Sequence, residues 1–266
     1  MSRHAAGLSG EALLGLLREL VWREVQDRYR GSVLGIVWAL LLPLAMLAVY
    51  TFVFGFVFRA RWGGGGDEPY SFALFIYCGL VPFLFVSDVL SRSPGLLIQH
   101  ASLVKRVAFP LPLLAVASTL AAAVHLLIGL SVLIAASWLL AGFKAGALLA
   151  LPLMVPLILA GLGLVWLFSA AAVFFRDLGQ AIPALLPLLL FLSPVFYPVS
   201  AVPAGFRVWM QANPLTAVID ALRAVVLGAG PVDTTGLVVA MLVGTALALV
   251  GWIVFARLQP GFADTL

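Results

Sequence analysis

Three side chains inside long apolar runs carry the chemistry of this sequence: Asp88, Arg92 and His125. Asp88 and Arg92 stand one helical turn apart, and a charge at membrane depth faces the protein interior or a wet path. The pair reads as an internal ion pair, and with one histidine it is too small a set for a proton relay. His125 has two readings, a buried hydrogen-bonding residue or a residue lining a path. Catalytic patterns are absent from the sequence. The glycine run 63–66 is followed by Asp67 and no Gly-Lys-Ser/Thr, so the chain carries no phosphate-binding loop of its own. His4, His100 and His125 are far apart, and neither a zinc-protease signature nor a Gly-x-Ser-x-Gly elbow occurs. No catalytic, cofactor or metal residue is assigned, and the chain by itself is not an enzyme.

These side chains are embedded in elements suited to lipid. The 266 residues are 64% hydrophobic and only 10% charged, against about 25% charged in a soluble domain. Seven Trp, 18 Phe, 25 Gly and 16 Pro fit membrane helices and their interfacial belts. Six apolar runs are long enough to cross about 30 Å of hydrocarbon: residues 33–58, 72–98, 111–140, 147–175, 178–199 and 235–255. The fold expected is an all-α integral membrane protein with six spans. Residues 1–32 form an arm, 33–257 the membrane domain and 258–266 a tail, and residues 1–30 lack the pattern of a cleavable signal. Six spans put both termini on one side. Ten of the 15 basic residues fall on that side, among them Arg18, Arg23, Arg28, Arg30, Arg92, Lys105, Arg106, Arg176 and Arg257, which makes it cytoplasmic. The net charge of +4 is thus a matter of topology, and nucleic-acid binding is excluded. The single cysteine, Cys78, lies in a span and reads as a small core residue.

Four segments are more than spans. In residues 13–29, Leu13, Leu17, Val21, Val25 and Tyr29 recur every four residues, giving an amphipathic helix along the inner membrane face, with Glu19–Arg23 and Glu24–Arg28 as expected pairs. It is an interfacial anchor or also a contact for a cytoplasmic partner. Residues 99–110 are polar and basic, either an ordinary inside loop or a short helix ended by Pro110 that docks into another subunit. Asn213 and Pro214 make a good helix start, and Asp220 can pair with Arg223. With Pro194, Pro198 and Pro203 upstream, residues 200–233 are expected to form short re-entrant helices capping the outer end. Tyr50, Phe52, Phe56, Phe83, Trp166, Phe191, Phe196 and Tyr197 gather near the membrane faces, either as packing and lipid contacts or as rings on which a sugar chain slides.

Five blocks in order, LVWREVQDRYRGSVLGIVWALLLP from Leu20, YCGLVPFLF from Tyr77, LIQHASLVKRVAFP from Leu97, FFRDLGQAIPALLPLLLFLSPVFYP from Phe174 and NPLTAVIDALRAVVLG from Asn213, cover nearly the whole chain. Together they resemble the permease subunit of ATP-binding-cassette polysaccharide exporters, of the O-antigen and teichoic-acid type. The resemblance implies a homodimer of permeases with two copies of a separate ATPase, which holds the ATP and Mg. It implies a polysaccharide on an undecaprenyl diphosphate carrier, moved from cytoplasm to periplasm across the bacterial inner membrane. Arg23, Arg28, Tyr29 and Arg30 would then lie at the interface helix and attract lipid pyrophosphate; the three arginines answer the inside-positive bias equally well. His100, Leu103, Lys105 and Arg106 would couple to the ATPase, Arg176 and Asp177 would form a cytoplasmic corner, and Asn213, Pro214, Asp220 and Arg223 a periplasmic gate.

Two other readings remain. The same architecture can export a capsule polymer, a teichoic acid or a hydrophobic small molecule, and a membrane scaffold without transport would keep assembly but move nothing.

Overall fold

The computed structural model of the chain describes residues 10–57, 69–105 and 109–266. Among these every regular element is helical. The expectations for His4, the glycine run 63–66 and Arg106 lie outside the described residues.

Helix α1 (Gly10–Asp27) has the amphipathic stripe expected of it. Val25 is buried and Leu13, Leu17 and Val21 are half-buried, while Leu14 and Trp22 face outward. The stripe packs on α6 (Pro112–Ala141), so burial of this face, rather than its exposed ion pairs, fixes the helix. Helix α2 (Trp38–Tyr50) runs directly into a π-helical stretch, Thr51–Val57, where the Thr51 hydroxyl donates to the Leu47 carbonyl at 2.8 Å. Only Ala39 and Gly55 of this span are buried, so α2 leans on the body along a narrow line.

Helix α3 (Pro69–Arg92) is the centre of the molecule. Its residues from Ala73 to Phe83 are all buried, as suits a helix that is apolar all round. Two short turns, α4 (Leu96–Gln99) and α5 (Ala101–Val104), lead toward α6. Helix α6 starts with Pro112 in its first turn and stops at Gly142, whose φ of +85° turns the chain back. A 3₁₀ stretch, Ala145–Ala150, and then α7 (Val155–Phe174) complete the expected tight hairpin.

Helix α11 (Thr234–Leu258) lies along α7 at backbone contact. A Cβ on Gly163 would overlap the Leu247 carbonyl, one on Gly244 the Pro156 carbonyl, and one on Gly251 the Gly163 carbonyl. Small residues let membrane helices approach this closely. The chain ends in α12 (Phe262–Thr265), with Phe262 packed edge-on against Phe255 at 5.4 Å.

Among the described residues, five helical stretches are long and apolar enough to span a membrane: Trp38–Val57, Tyr70–Gln99, Pro112–Ala141, Ala145–Phe174 and Thr234–Thr265. The remaining expected span, 178–199, is where structure and expectation differ. Helix α8 (Leu178–Phe191) has 14 residues, about 21 Å of rise, and the chain then turns. Pro183 and Pro187 already remove backbone donors within α8, and Pro194 and Pro198 follow its end. Beyond lie α9 (Ala204–Gln211) and α10 (Pro214–Leu227). Helix α10 is more than a cap: Val218, Ile219 and Leu222 are fully buried, and it packs on α3, α11 and the 145–150 stretch.

Candidate binding site where the first helix meets the spans

Arg28 sits in the turn that follows α1, and Asp88 lies one turn before the end of α3. Arg28 Nη1 donates to Asp88 Oδ2 at 2.6 Å, while Arg92 Nε donates to Asp88 Oδ1, also at 2.6 Å. One carboxylate is therefore shared by two guanidinium groups, with Glu24 a further acid acting on Arg28. The Asp88–Arg92 ion pair expected from one-turn spacing is present, and Arg28 joins it from 60 residues away. Arg28 turns to Asp88, and Arg23 lies 3.8 Å from Asp27.

Arg28 is the buried member, its side chain 7% exposed. Its Nε and Nη2 are buried with no hydrogen-bond partner among the described residues. Burial pushes the Arg28 pKa down, and Asp88 opposes that shift. A buried donor left unpaired costs about 1–3 kcal/mol, and more on a charged group.

Tyr29 and His125 form the adjoining pair. Their rings stack at 5.6 Å, and the Tyr29 oxygen is 2.5 Å from His125 Nε2. His125 Nδ1 is 2.9 Å from the Ala121 carbonyl and 3.3 Å from Arg28 Nη1. Arg28 Nη1 has a shorter bond to Asp88, so the consistent assignment is Nδ1–H donating to Ala121 and the Tyr29 hydroxyl donating to Nε2. Burial raises the Tyr29 pKa, which keeps that hydroxyl a donor.

These groups close one end of a cavity of about 320 Å³. Trp38, Leu42 and Met46 of α2, Leu84 of α3 and Leu126 of α6 make its apolar wall. Such a site binds and positions. Among the described residues there is no group of three His, Cys, Asp or Glu able to hold a metal ion.

The other expected residues fall in separate places. Arg23 and Arg30 are exposed, each near Asp27, at 3.8 and 3.4 Å. His100 Nδ1 donates to the Leu96 carbonyl at 2.9 Å, and His100 Nε2 lies 4.0 Å from Glu24 of α1. Leu103 packs against the core, and Lys105 is exposed. Arg176 and Asp177 are exposed in the turn joining α7 to α8. The aromatic residues do not form one row. Tyr50 stacks toward Phe54 while Phe52 and Phe56 face outward, Phe83 is in the core, and Trp166 meets Trp252 edge-on at 5.2 Å. Phe191 is 6.2 Å from Phe196, and the Tyr197 hydroxyl donates to the Phe191 carbonyl.

In the outer segment Asn213 Oδ1 accepts from the Leu215 amide at 3.0 Å with Pro214 following, as the cap rule predicts, and Asn213 Nδ2 reaches Ser193 Oγ at 3.1 Å. Arg223 pairs with Asp220 at 3.3 Å but is itself 2% exposed. It donates to the carbonyls of Phe75 (3.3 Å) and Val195 (2.9 Å) and lies 3.6 Å over the Phe75 ring. Burial pushes its pKa down to about 10. Lys144 Nζ donates to the Leu227 carbonyl at the end of α10. The sequence signal that was available for the Arg28 cluster was Asp88 and His125 themselves, two polar side chains in apolar runs. Nothing in spacing pointed them at Arg28 and Tyr29.

The geometry is that of a multi-pass membrane protein with a polar junction under its first helix. The profile of ABC-2 type transporters matches residues 15–227, from α1 through α10, a stretch holding the whole Arg28–Asp88–His125 cluster. The chain belongs to that family. ABC-2 membrane subunits are transport subunits that work with a nucleotide-binding ATPase partner and are not themselves enzymes. The ABC-2 chain is 25% identical to the O-antigen export system permease protein RfbA of Klebsiella pneumoniae over 96% of both chains. It is 26% identical to the protein of the same name from Myxococcus xanthus over 95% of both. It is also 27% identical to the polysialic acid transport protein KpsM of Escherichia coli, over 78% of this chain and 80% of that one. The family expected from the five sequence blocks is thus the family found.

Proposed function

We propose that the chain is the permease of an ATP-driven exporter that moves an undecaprenyl-diphosphate-linked, O-antigen-like polysaccharide from cytoplasm to periplasm. The observation that carries this reading is similarity along 95–96% of the chain to O-antigen export permeases. The working unit is a homodimer of permeases with two ATPases, which bind the ATP and Mg. Because α2 buries so little of itself within one chain, a broad apolar face is free for lipid or for the second copy.

In this reading the protein sits in the bacterial inner membrane with both termini cytoplasmic, and α8 with the residues after it completes a sixth span. Helix α1 and the α4–α5 turns, with His100, Leu103, Lys105 and Arg106, face the ATPase beside the Arg176–Asp177 corner. His100 at 4.0 Å from Glu24 joins those two surfaces. Of Arg23, Arg28, Tyr29 and Arg30 at the interface helix, the exposed Arg23 and Arg30 attract the lipid pyrophosphate, Arg28 and Tyr29 being tied to Asp88 and His125; the aromatic side chains give the glycan sliding contacts, and the 200–233 segment gates the periplasmic end.

The test is reconstitution of the chain with its ATPase in vesicles and measurement of ATP-dependent movement of an undecaprenyl-linked glycan. Movement that disappears with an inactive ATPase supports the reading; assembly and ATP hydrolysis without movement removes it. A second reading, export of a capsule polymer by the same architecture, is favoured by the similarity to KpsM over 78% of the chain, and a capsule glycan in the same assay separates the two.

A further inference from the structure

We infer that the cavity between α2, α3 and α6 is a resident site for one anionic phospholipid, with the phosphate on Arg28 and the start of an acyl chain along Trp38, Leu42, Met46 and Leu84. Three independent features carry this. First, Arg28 is more than nine-tenths buried, and two of its nitrogens, Nε and Nη2, have no partner among the described residues. Turned toward the cavity that Arg28 lines, this Nε–Nη2 edge matches the paired oxygens of a phosphate. Second, the cavity has an amphiphilic lining: Arg28, Tyr29, Asp88 and His125 are bonded into one cluster, and most of the other lining side chains are apolar. Its volume of about 320 Å³ lies at the low end of the roughly 300–1,000 Å³ of ligand pockets, enough for part of one chain. Third, Arg28 and Arg92 share the one carboxylate of Asp88, and although Glu24 also acts on Arg28, neither guanidinium has an acid to itself.

The consequence is a lipid built into the joint of one protomer, distinct from anything transported, and the inference does not depend on the cargo. The α1–α2 connection would rest on that lipid, since α2 itself buries only Ala39 and the π-turn glycine Gly55.

The test uses the full-length chain, purified in detergent, washed extensively and analysed for bound lipid by native mass spectrometry, then titrated with phosphatidylglycerol, phosphatidylcholine, undecaprenyl diphosphate and inorganic pyrophosphate. The expected result is about one retained phosphatidylglycerol per chain, at least tenfold weaker binding in Arg28→Gln, and less than twofold change in Arg18→Gln on the exposed side of α1. Arg28→Gln leaves Asp88 paired with Arg92, so no carboxylate is orphaned. Leu84→Trp fills the apolar part without touching the charges and is expected to weaken binding at least fivefold; it decides the matter should Arg28→Gln fail to fold. Retention unchanged in both variants, or inorganic pyrophosphate binding as tightly as the lipid, overturns the site. Undecaprenyl diphosphate displacing phosphatidylglycerol at tenfold lower concentration assigns the cavity to a carrier lipid and overturns it as well.

Discussion

Arg28 and Asp88, 60 residues apart, meet at 2.6 Å and tie the end of the amphipathic helix α1 to the end of the central helix α3. The contact adds a tie to the most buried element to the apolar packing of α1 on α6. Breaking a buried ion pair from one side leaves a charge without a partner, which is much worse than never having had the pair.

Asp88→Asn therefore destabilises the protein by about 3 kcal/mol, because Arg28 is left charged and buried. Arg92→Gln costs less than about 1 kcal/mol, since the Arg92 side chain is 44% exposed and water replaces the lost partner. Thermal unfolding of both variants in detergent, followed by tryptophan fluorescence, checks the contrast; equal losses would place the weight of the cluster on Arg92.

Tyr29→Phe keeps the ring stacked on His125 and removes only the hydroxyl that donates to Nε2. The expected cost is about 1–2 kcal/mol for a part-buried acceptor left unpaired. A double-mutant cycle with His125→Phe is expected to recover most of that as coupling energy.

Gly163→Leu should prevent α7 and α11 from closing, because even a Cβ there overlaps the Leu247 carbonyl. Loss of the folded peak in size exclusion checks it. Gly15→Ala in α1, with open space around it, is expected to do the opposite and stabilise by about 0.5–1 kcal/mol, the ordinary difference between Gly and Ala within a helix.

Arg223→Leu removes the donor to two carbonyls, Phe75 and Val195, and lets the chain after α8 loosen from α3. Faster chymotrypsin cleavage within residues 192–203, where Phe196 and Tyr197 lie, is the expected readout.

Asp220 gives a pH dependence. Burial holds its carboxyl above the ordinary range, with Arg223 pulling the other way. The folded protein thus takes up a proton at a higher pH than the unfolded chain, so this group adds stability as pH falls and withdraws it as pH rises. Melting temperatures of the parent and Asp220→Asn, compared from pH 7 down to 4, should show the parent gaining on the variant.

Much of this was legible in the residues. Long apolar runs gave five spans, the middle three with ends within about two residues of those expected while the first starts later, at Trp38, and the last runs on to Thr265, and Gly142 closed the expected hairpin. Asn213 followed by Pro214 marked the start of α10 because a cap depends on two adjacent residues alone. Helix α8 ends at Phe191, short of the expected 199, because hydropathy registers its prolines weakly, while each removes a helical donor. The pairing of Arg223 with Asp220 was legible from three-residue spacing, but its carbonyl partners and the partner of Arg28 were hidden for a different reason. A side chain with a helical neighbour of opposite charge invites a local pairing, as Glu24 does for Arg28, yet the preferred partner lay on another helix. No spacing rule reaches across 60 or 148 residues.

The bond from Arg223 to Phe75 also imposes an order of events during synthesis. Helix α3 leaves the ribosome 148 residues before the side chain that will fasten it. In the folded chain Val195 and the Arg223 guanidinium close against Gly79, so the packing of α3 is complete only once residues 195 and 223 have joined it.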